Sequence, residues 1–324
     1  MILTTATRWI SGTHTNDGDV GIRTYPNPNN HETKDMHMKK ISRKTLLALS
    51  TAGLAVCMAS QVNAETLKQI KDRGYVRIAV ANEIPYGYID PSGNAKGAGP
   101  DVATQVMKKL GVKEIQWVTT NFGSLIPGLQ ANRFDMVAAE MAILAPRCKK
   151  VLFSEPDSSY GEGLLVAKGN PDNLHSYESF ATNKQKVAIM AGADQLEMLQ
   201  ALKVPAGQMI TISSNSDAIS TVSTGRAAAY AATSLTVSQL AGKSDKVEIA
   251  KNFKDPVVDG KEVRSWGSFT FAKNSKSFRD AFNKELAKFK KTPQWSKIMT
   301  QYGFTDADNK ASFKKTTSQL CSGK

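Results

Sequence analysis

The run Val76-Arg77-Ile78-Ala79-Val80-Ala81 passes directly into Asn82-Glu83-Ile84-Pro85-Tyr86-Gly87-Tyr88. The first half is short and mostly apolar, and it reads as a buried strand. An acid and two aromatic rings leave its carboxyl end together. In open α/β sheets, ligands bind beyond the carboxyl ends of strands. The second half therefore reads as one wall of a binding site, and the first half as the strand that positions it.

The same rhythm continues on both sides. Leu67 and Ile70 mark a helix ended by Gly74. Asp101 is expected to cap a helix through Val102, Val106, Met107 and Leu110, closed by Gly111. A strand follows at 115–118, a helix at 125–129 and a strand at 136–139. A second such unit has strands at 163–167, 187–190, 209–212 and 228–232, with helices at 194–202 and 216–224. A strand at 268–272 and helices at 277–291 and 293–302 close the chain. Strands alternating with helices predict an α/β fold with a largely parallel sheet. Two such units with one pocket between them fit these elements.

The chain has 324 residues. Lys39, Lys40, Arg43 and Lys44 precede an apolar stretch at 46–58, too short to be a good membrane span. Val62-Asn63-Ala64 then offers a cleavage site, so 36–64 reads as a signal peptide cut after Ala64. Residues 1–35 are polar and patternless and read as an untranslated or disordered extension. Leu54-Ala55-Val56-Cys57 resembles a lipobox, but Val56 is bulky before the cysteine, so simple cleavage into the periplasm is preferred over an anchor at Cys57. The segment 1–64 carries seven Lys/Arg against four Asp/Glu, leaving +10 of the net +13 on the exported chain. The lysines are scattered. The densest run, 284–291, shares a helix with Phe282, Leu286 and Phe289, which reads as a solvated face rather than a nucleic-acid surface. Cys148 and Cys321 remain after cleavage, and an even count in an oxidising compartment suggests a disulfide. His175 is then the lone histidine, which argues against a zinc site or a histidine triad. No cofactor is implied, and the chain is expected to be a monomer.

Several blocks carry a family resemblance. TLKQIKDRGYVRIAVANEIPYGY, GAGPDVATQVMKKLGV, FGSLIPGLQANRFDMV, PRCKKVLFSEP and TGRAAAY, in this order, resemble family 3 solute-binding proteins, the extracytoplasmic receptors of polar-amino-acid ABC importers. The resemblance implies a type II periplasmic-binding-protein fold of two lobes joined by two hinge strands, closing like a flytrap. It places lobe 1 at 65–158 plus 265–324 and lobe 2 at 159–264. The function it implies is non-catalytic: a small zwitterion is captured and delivered to a membrane permease. Within the family, ANEIPYGYIDPSGNAKGAGPDVA, NFGSLIPGL, FSEPDSSYGEGLLVAKGNP and AGADQLEMLQAL are most similar to ectoine/hydroxyectoine-binding proteins, receptors for compatible solutes.

What the resemblance implies for single residues must also make physical sense. Arg147 matches the arginine that takes the ligand carboxylate, and its planar fork donates two hydrogen bonds. Glu83 is placed to neutralise the ligand's positive part. Tyr86 and Phe122 match aromatic positions that sandwich it, since a ring face attracts a delocalised cation; Tyr88 is expected to pack. The aspartate that anchors an α-ammonium in relatives lies eight residues after the glycine of a Gly-Arg pair, and from Gly225 that position is Thr233. A threonine cannot neutralise an ammonium. Asp194 stands where relatives carry hydroxyl residues and serves either the ligand or its own helix N-terminus. Ala142 replaces an expected aromatic, and Glu140 adds an acid; together they fit a larger or more cationic ligand, such as an arginine derivative or opine. Three other readings stand beside the ectoine receptor. They are a plain amino-acid receptor, a sensory ectodomain lacking its second membrane segment, and an enzyme on the same fold, such as a cyclohexadienyl dehydratase with Glu83 or Glu140 as general acid.

Overall fold

The computed structural model describes residues 67–323. The expected extension, the signal peptide with its cleavage point, and Cys57 lie outside the described residues. Two five-stranded sheets form two lobes. The first has the order Glu114–Thr119, Tyr75–Val80, Met136–Ala142, Gly267–Phe271, Leu152–Phe153. The second has the order Val247–Ile249, Glu162–Ala167, Ala229–Thr233, Val187–Met190, Met209–Ile212. Within each sheet one strand runs against the rest: Gly267–Phe271 in the first and Glu162–Ala167 in the second. Both are the strands that bring the chain back from a crossing. Residues 157–160 and 264–267 carry it between lobes and pair antiparallel, with Tyr160 and Ser265 exchanging both backbone hydrogen bonds.

Tyr75–Val80 is central to the first sheet, in parallel register with Glu114–Thr119 through Ile78↔Trp117 and with Met136–Ala142 through Ile78↔Met136. That burial on both faces explains its nearly continuous apolar run. Helix Ala98–Leu110 covers one face with Val102, Val106 and Leu110, and helix Lys276–Phe289 adds Phe278, Phe282 and Leu286. The second lobe packs Leu164, Val166, Tyr177, Phe180 and Ile189 in the same manner.

Two local expectations are corrected. Helix Ala98–Leu110 starts ahead of Asp101, at a Gly97 cap whose φ of +123° suits glycine. The first helical N–H groups are satisfied by the loop of the opening motif instead: Ala98 donates to the Pro85 carbonyl and Gly99 to that of Tyr86. Asp101 accepts from the Tyr302 hydroxyl. In the lysine run, Lys284 and Lys288 are solvated, but Lys290 is buried. Its ammonium donates to the carbonyls of Pro156 and Ser312 and lies 4.0 Å from the Phe313 ring centre.

The loop that leaves the first strand is tightly closed. Glu83 and Gly87 exchange both backbone hydrogen bonds at 2.9 Å, across a cis Ile84–Pro85 peptide. A Cβ on Gly87 would sit 2.4 Å from the Ala138 carbonyl oxygen, a backbone atom of the neighbouring strand. Gly87→Ala is therefore expected to lower stability by about 1–3 kcal/mol through overpacking. Chemical denaturation of the two proteins measures it, and an unchanged midpoint would show that the loop relaxes freely.

Candidate functional site

The crossing of the two lobes encloses a small cavity of about 30 Å³, room for one or two water molecules. Each lobe contributes through strand ends and the loops that follow them. Glu83 and Tyr86 reach it from the first loop, Phe122 from the turn after Glu114–Thr119, and Glu140 and Ala142 from the buried strand Met136–Ala142. Asp194 enters it from the second lobe at the start of helix Gln195–Ala201, and Thr233 from the start of helix Ser234–Ala241.

Glu83 is not a solvated loop acid. It is buried, and its Oε1 accepts from the Thr236 hydroxyl of the opposite lobe at 3.1 Å. Burial raises its pKa to about 7, against the nearby Asn215 amide and the Thr236 hydroxyl, which lower it, while Asp194 adds to the rise. Tyr86 is 2 % exposed and donates to Thr233 Oγ1 at 2.7 Å. Its ring lies 5.3 Å from Tyr160 and 6.0 Å from Phe304. Thr233 caps its helix by accepting from the Thr236 N–H. Asp194 lies at a helix start but makes no capping hydrogen bond; it accepts from Ser265 in the second crossing segment. Tyr88 packs against the first core, outside the cavity.

Glu140 does not face solvent. It is 2 % exposed, with φ at +48°, a left-handed conformation that turns the carboxyl out of the sheet's alternation. One carboxylate oxygen accepts from Ser158 and the other has no donor. Tyr160 donates to the Glu140 carbonyl at 2.8 Å. Burial pushes its carboxyl pKa up.

Arg147 is not brought to the cavity wall. It is buried behind Ala142, with one arm donating to the Ala142 carbonyl at 3.0 Å and the other to the Gly192 carbonyl of the second lobe at 2.9 Å. Its guanidinium lies 5.7 Å from the Phe122 ring centre. In this closed form it links the lobes, as do Tyr86–Thr233 and Glu83–Thr236. Cys148, the next residue, is bonded to Cys321. No lysine or arginine among the described residues lines the cavity.

Sequence reasoning missed Thr236, Asn215, Tyr160 and Tyr230 as wall or partner residues. A signal for Thr236 was present: hydroxyl residues spaced Thr233-x-x-Thr236 at a helix start place both at the helix N-terminus, where they are buried between the lobes. Tyr160 had none, because its position follows from how the crossing segments pair.

Residues 76–305 match the model of the bacterial extracellular solute-binding proteins, family 3. The chain is 56% identical over 279 residues to a probable amino-acid ABC transporter periplasmic-binding protein of Sinorhizobium fredii, covering 85% of this chain and 93% of that one. Among solved structures it is similar to EhuB in complex with hydroxyectoine, with 32% identity and a TM-score of 0.72, over 80% of this chain and 98% of EhuB. It is also similar to the ancestral amino acid-binding protein AncCDT-1, a precursor of cyclohexadienyl dehydratase. That match has 28% identity and a TM-score of 0.64, over 74% and 99% of the two chains.

Proposed function

The chain belongs to the bacterial extracellular solute-binding proteins of family 3, and from that premise we propose that it delivers a small zwitterion with a delocalised cation, ectoine or hydroxyectoine, to its importer. It is a receptor of an amino-acid-type ABC importer and not an enzyme. The observation that carries the solute reading is the composition of the cavity wall. Three carboxylates, Glu83, Glu140 and Asp194, stand with the rings of Tyr86 and Phe122 and without a facing lysine or arginine among the described residues. Such a wall takes a positive group and its flat apolar surroundings. The hydroxyectoine complex of a relative at 32% identity supports the same solute class.

The cavity is far smaller than such a solute, so binding begins with the lobes apart. The cation docks on Glu83 between Tyr86 and Phe122. Its carboxylate recruits the Arg147 fork from the carbonyls that hold it now. Closure then hinges at 157–160 and 264–267 and brings in Asp194 and Thr233. The solute favours the closed form by its better contacts there, and the closed form meets the permease. Export to the periplasm with removal of the signal peptide completes the reading.

Ala142 and the acid Glu140 favour a second reading, a cationic amino acid or opine, because they enlarge the wall and add a negative charge. Calorimetry separates the two. The protein is purified from the periplasm, unfolded and refolded to strip solute, and titrated with ectoine, hydroxyectoine, L-arginine, octopine, glycine betaine and L-glutamine. Saturable binding of ectoine or hydroxyectoine at about 1 μM or tighter, roughly 8 kcal/mol of binding energy, is expected. Binding of arginine or octopine with both ectoines silent selects the second reading.

A further inference from the structure

Behind the cavity lies a group of charges that the solute reading does not use. Asp157, at the start of the first crossing segment, is fully buried, and neither of its carboxyl oxygens has a donor. It stands within hydrogen-bonding reach of Glu140, whose second oxygen also lacks one. Two buried carboxylates cannot stand bare against each other. A proton between them satisfies both: one oxygen becomes a donor and its neighbour the acceptor. The charge count agrees. With one shared proton the pair carries a single negative charge, and the Lys290 ammonium, held between the carbonyls of Pro156 and Ser312 and not part of the cavity wall, offsets it.

We propose that Glu140 and Asp157 hold one proton between them and that the positive end of the solute displaces it. Glu140 is thereby a second cation subsite, and Asp157 is a positioning residue that sets its charge. As the cation arrives, the O–H bond within the pair breaks and the proton leaves to solvent. The pair then carries two negative charges, faced by Lys290 and by the solute cation that it shares with Glu83. A solute without a cation beside Glu140 gives no such exchange. The inference rests on reading the cavity as the solute site.

Burial pushes both carboxyls up, Asp157 further because Glu140 adds its charge. It lowers Lys290 to about 8, against the pull of Asp157, Glu140 and Glu155. Tyr160 faces the pair from the crossing segment and Tyr86 from across the cavity. Asp194 of the cavity wall and Glu162, which is not part of that wall, lie on the second lobe, and Glu83 titrates in its own right. The test therefore compares variants rather than a single pH profile.

Hydroxyectoine and L-arginine are titrated into the purified protein between pH 5.5 and 8, in buffers of differing ionisation enthalpy. Asp157→Asn keeps a donor toward Glu140 but no exchangeable charge. Wild type is expected to release up to one proton more per bound probe than Asp157→Asn. Its affinity is expected to rise with pH by up to tenfold per unit more steeply than that of the variant. Equal proton release and equal slopes would overturn the proposal. If neither probe binds, the solute assignment fails, and the pair is judged alone by carboxyl ¹³C NMR of the ligand-free wild type. The same measurement serves if the variant does not fold. Joint titration of Glu140 and Asp157 above the usual carboxylate range supports the shared proton, and two independent titrations near pH 4 overturn it.

Discussion

Glu83→Gln is expected to weaken solute binding about 100-fold, or about 3 kcal/mol, the scale of removing one partner from a buried charge pair. The variant retains a carbonyl for the Thr236 hydroxyl, so the hydrogen bond between lobes survives while the charge does not. The pH dependence should change with it. Burial holds Glu83 at about 7, so below that pH a solute cation competes with a proton. Affinity through this group falls as pH drops, by at most about tenfold per unit. Without solute the sign reverses. A folded-state pKa raised above the ordinary value of about 4.3 stabilises the closed form most at low pH. That contribution is lost as pH rises through about 7, when Glu83 ionises with no cation beside it. At neutral pH the solute's cation therefore relieves a charge that opposes closure. Titration of wild type and Glu83→Gln across this range tests the account. Equal affinities, or a pH slope around 7 as steep in the variant as in wild type, would remove Glu83 from the cation site.

The alternation of strands and helices was legible because the central strands of the two five-stranded sheets are largely buried, leaving mostly apolar runs such as Tyr75–Val80, broken by Arg77, and Val187–Met190. Helix Ser234–Ala241 and strand Val247–Ile249 were not, since the first is rich in hydroxyl residues and the second is a three-residue edge strand. The site was legible where a residue leaves the end of a strand, as Glu83, Tyr86 and Thr233 do. Arg147 shows where that reasoning stops. The sequence places its Cα next to the cleft, but the direction of its fork depends on two carbonyls, one of them on the other lobe. Glu140 shows the opposite case. Its burial follows from a left-handed turn inside a strand that periodicity reads as ending one residue earlier. The partnership with Asp157 joins residues of two segments that meet only after the sheet has formed.

Replacing both Cys148 and Cys321 with serine is expected to cost about 2–4 kcal/mol of stability, within the usual range for a native disulfide. The bridge spans 173 residues, and closing so long a loop in the unfolded chain is what the cross-link makes unnecessary. The chain-entropy model sets an upper value of about 5 kcal/mol for a loop of this length. For a chain of this size the melting temperature should fall by roughly 5–15 °C. The bridge also acts locally. Helix Ala145–Cys148 is a single turn, and helix Thr317–Cys321 is hardly longer. Neither is stable alone. The second is stabilised at its start by its own capping box and docked by Thr317, which donates to Glu155 through its N–H and to the Ser154 carbonyl through its hydroxyl. The first carries Arg147. Loss of the bridge should therefore loosen the base of the arginine more than the carboxylate wall, and the effect on affinity should stay within a few fold, well below that of Glu83→Gln. Thermal unfolding with and without reductant supplies the control: reductant should lower the wild-type transition to that of the variant and leave the variant unchanged. A variant that melts with the oxidised wild type would show that the core of Phe153, Val151 and Leu320 already holds this corner without the bond.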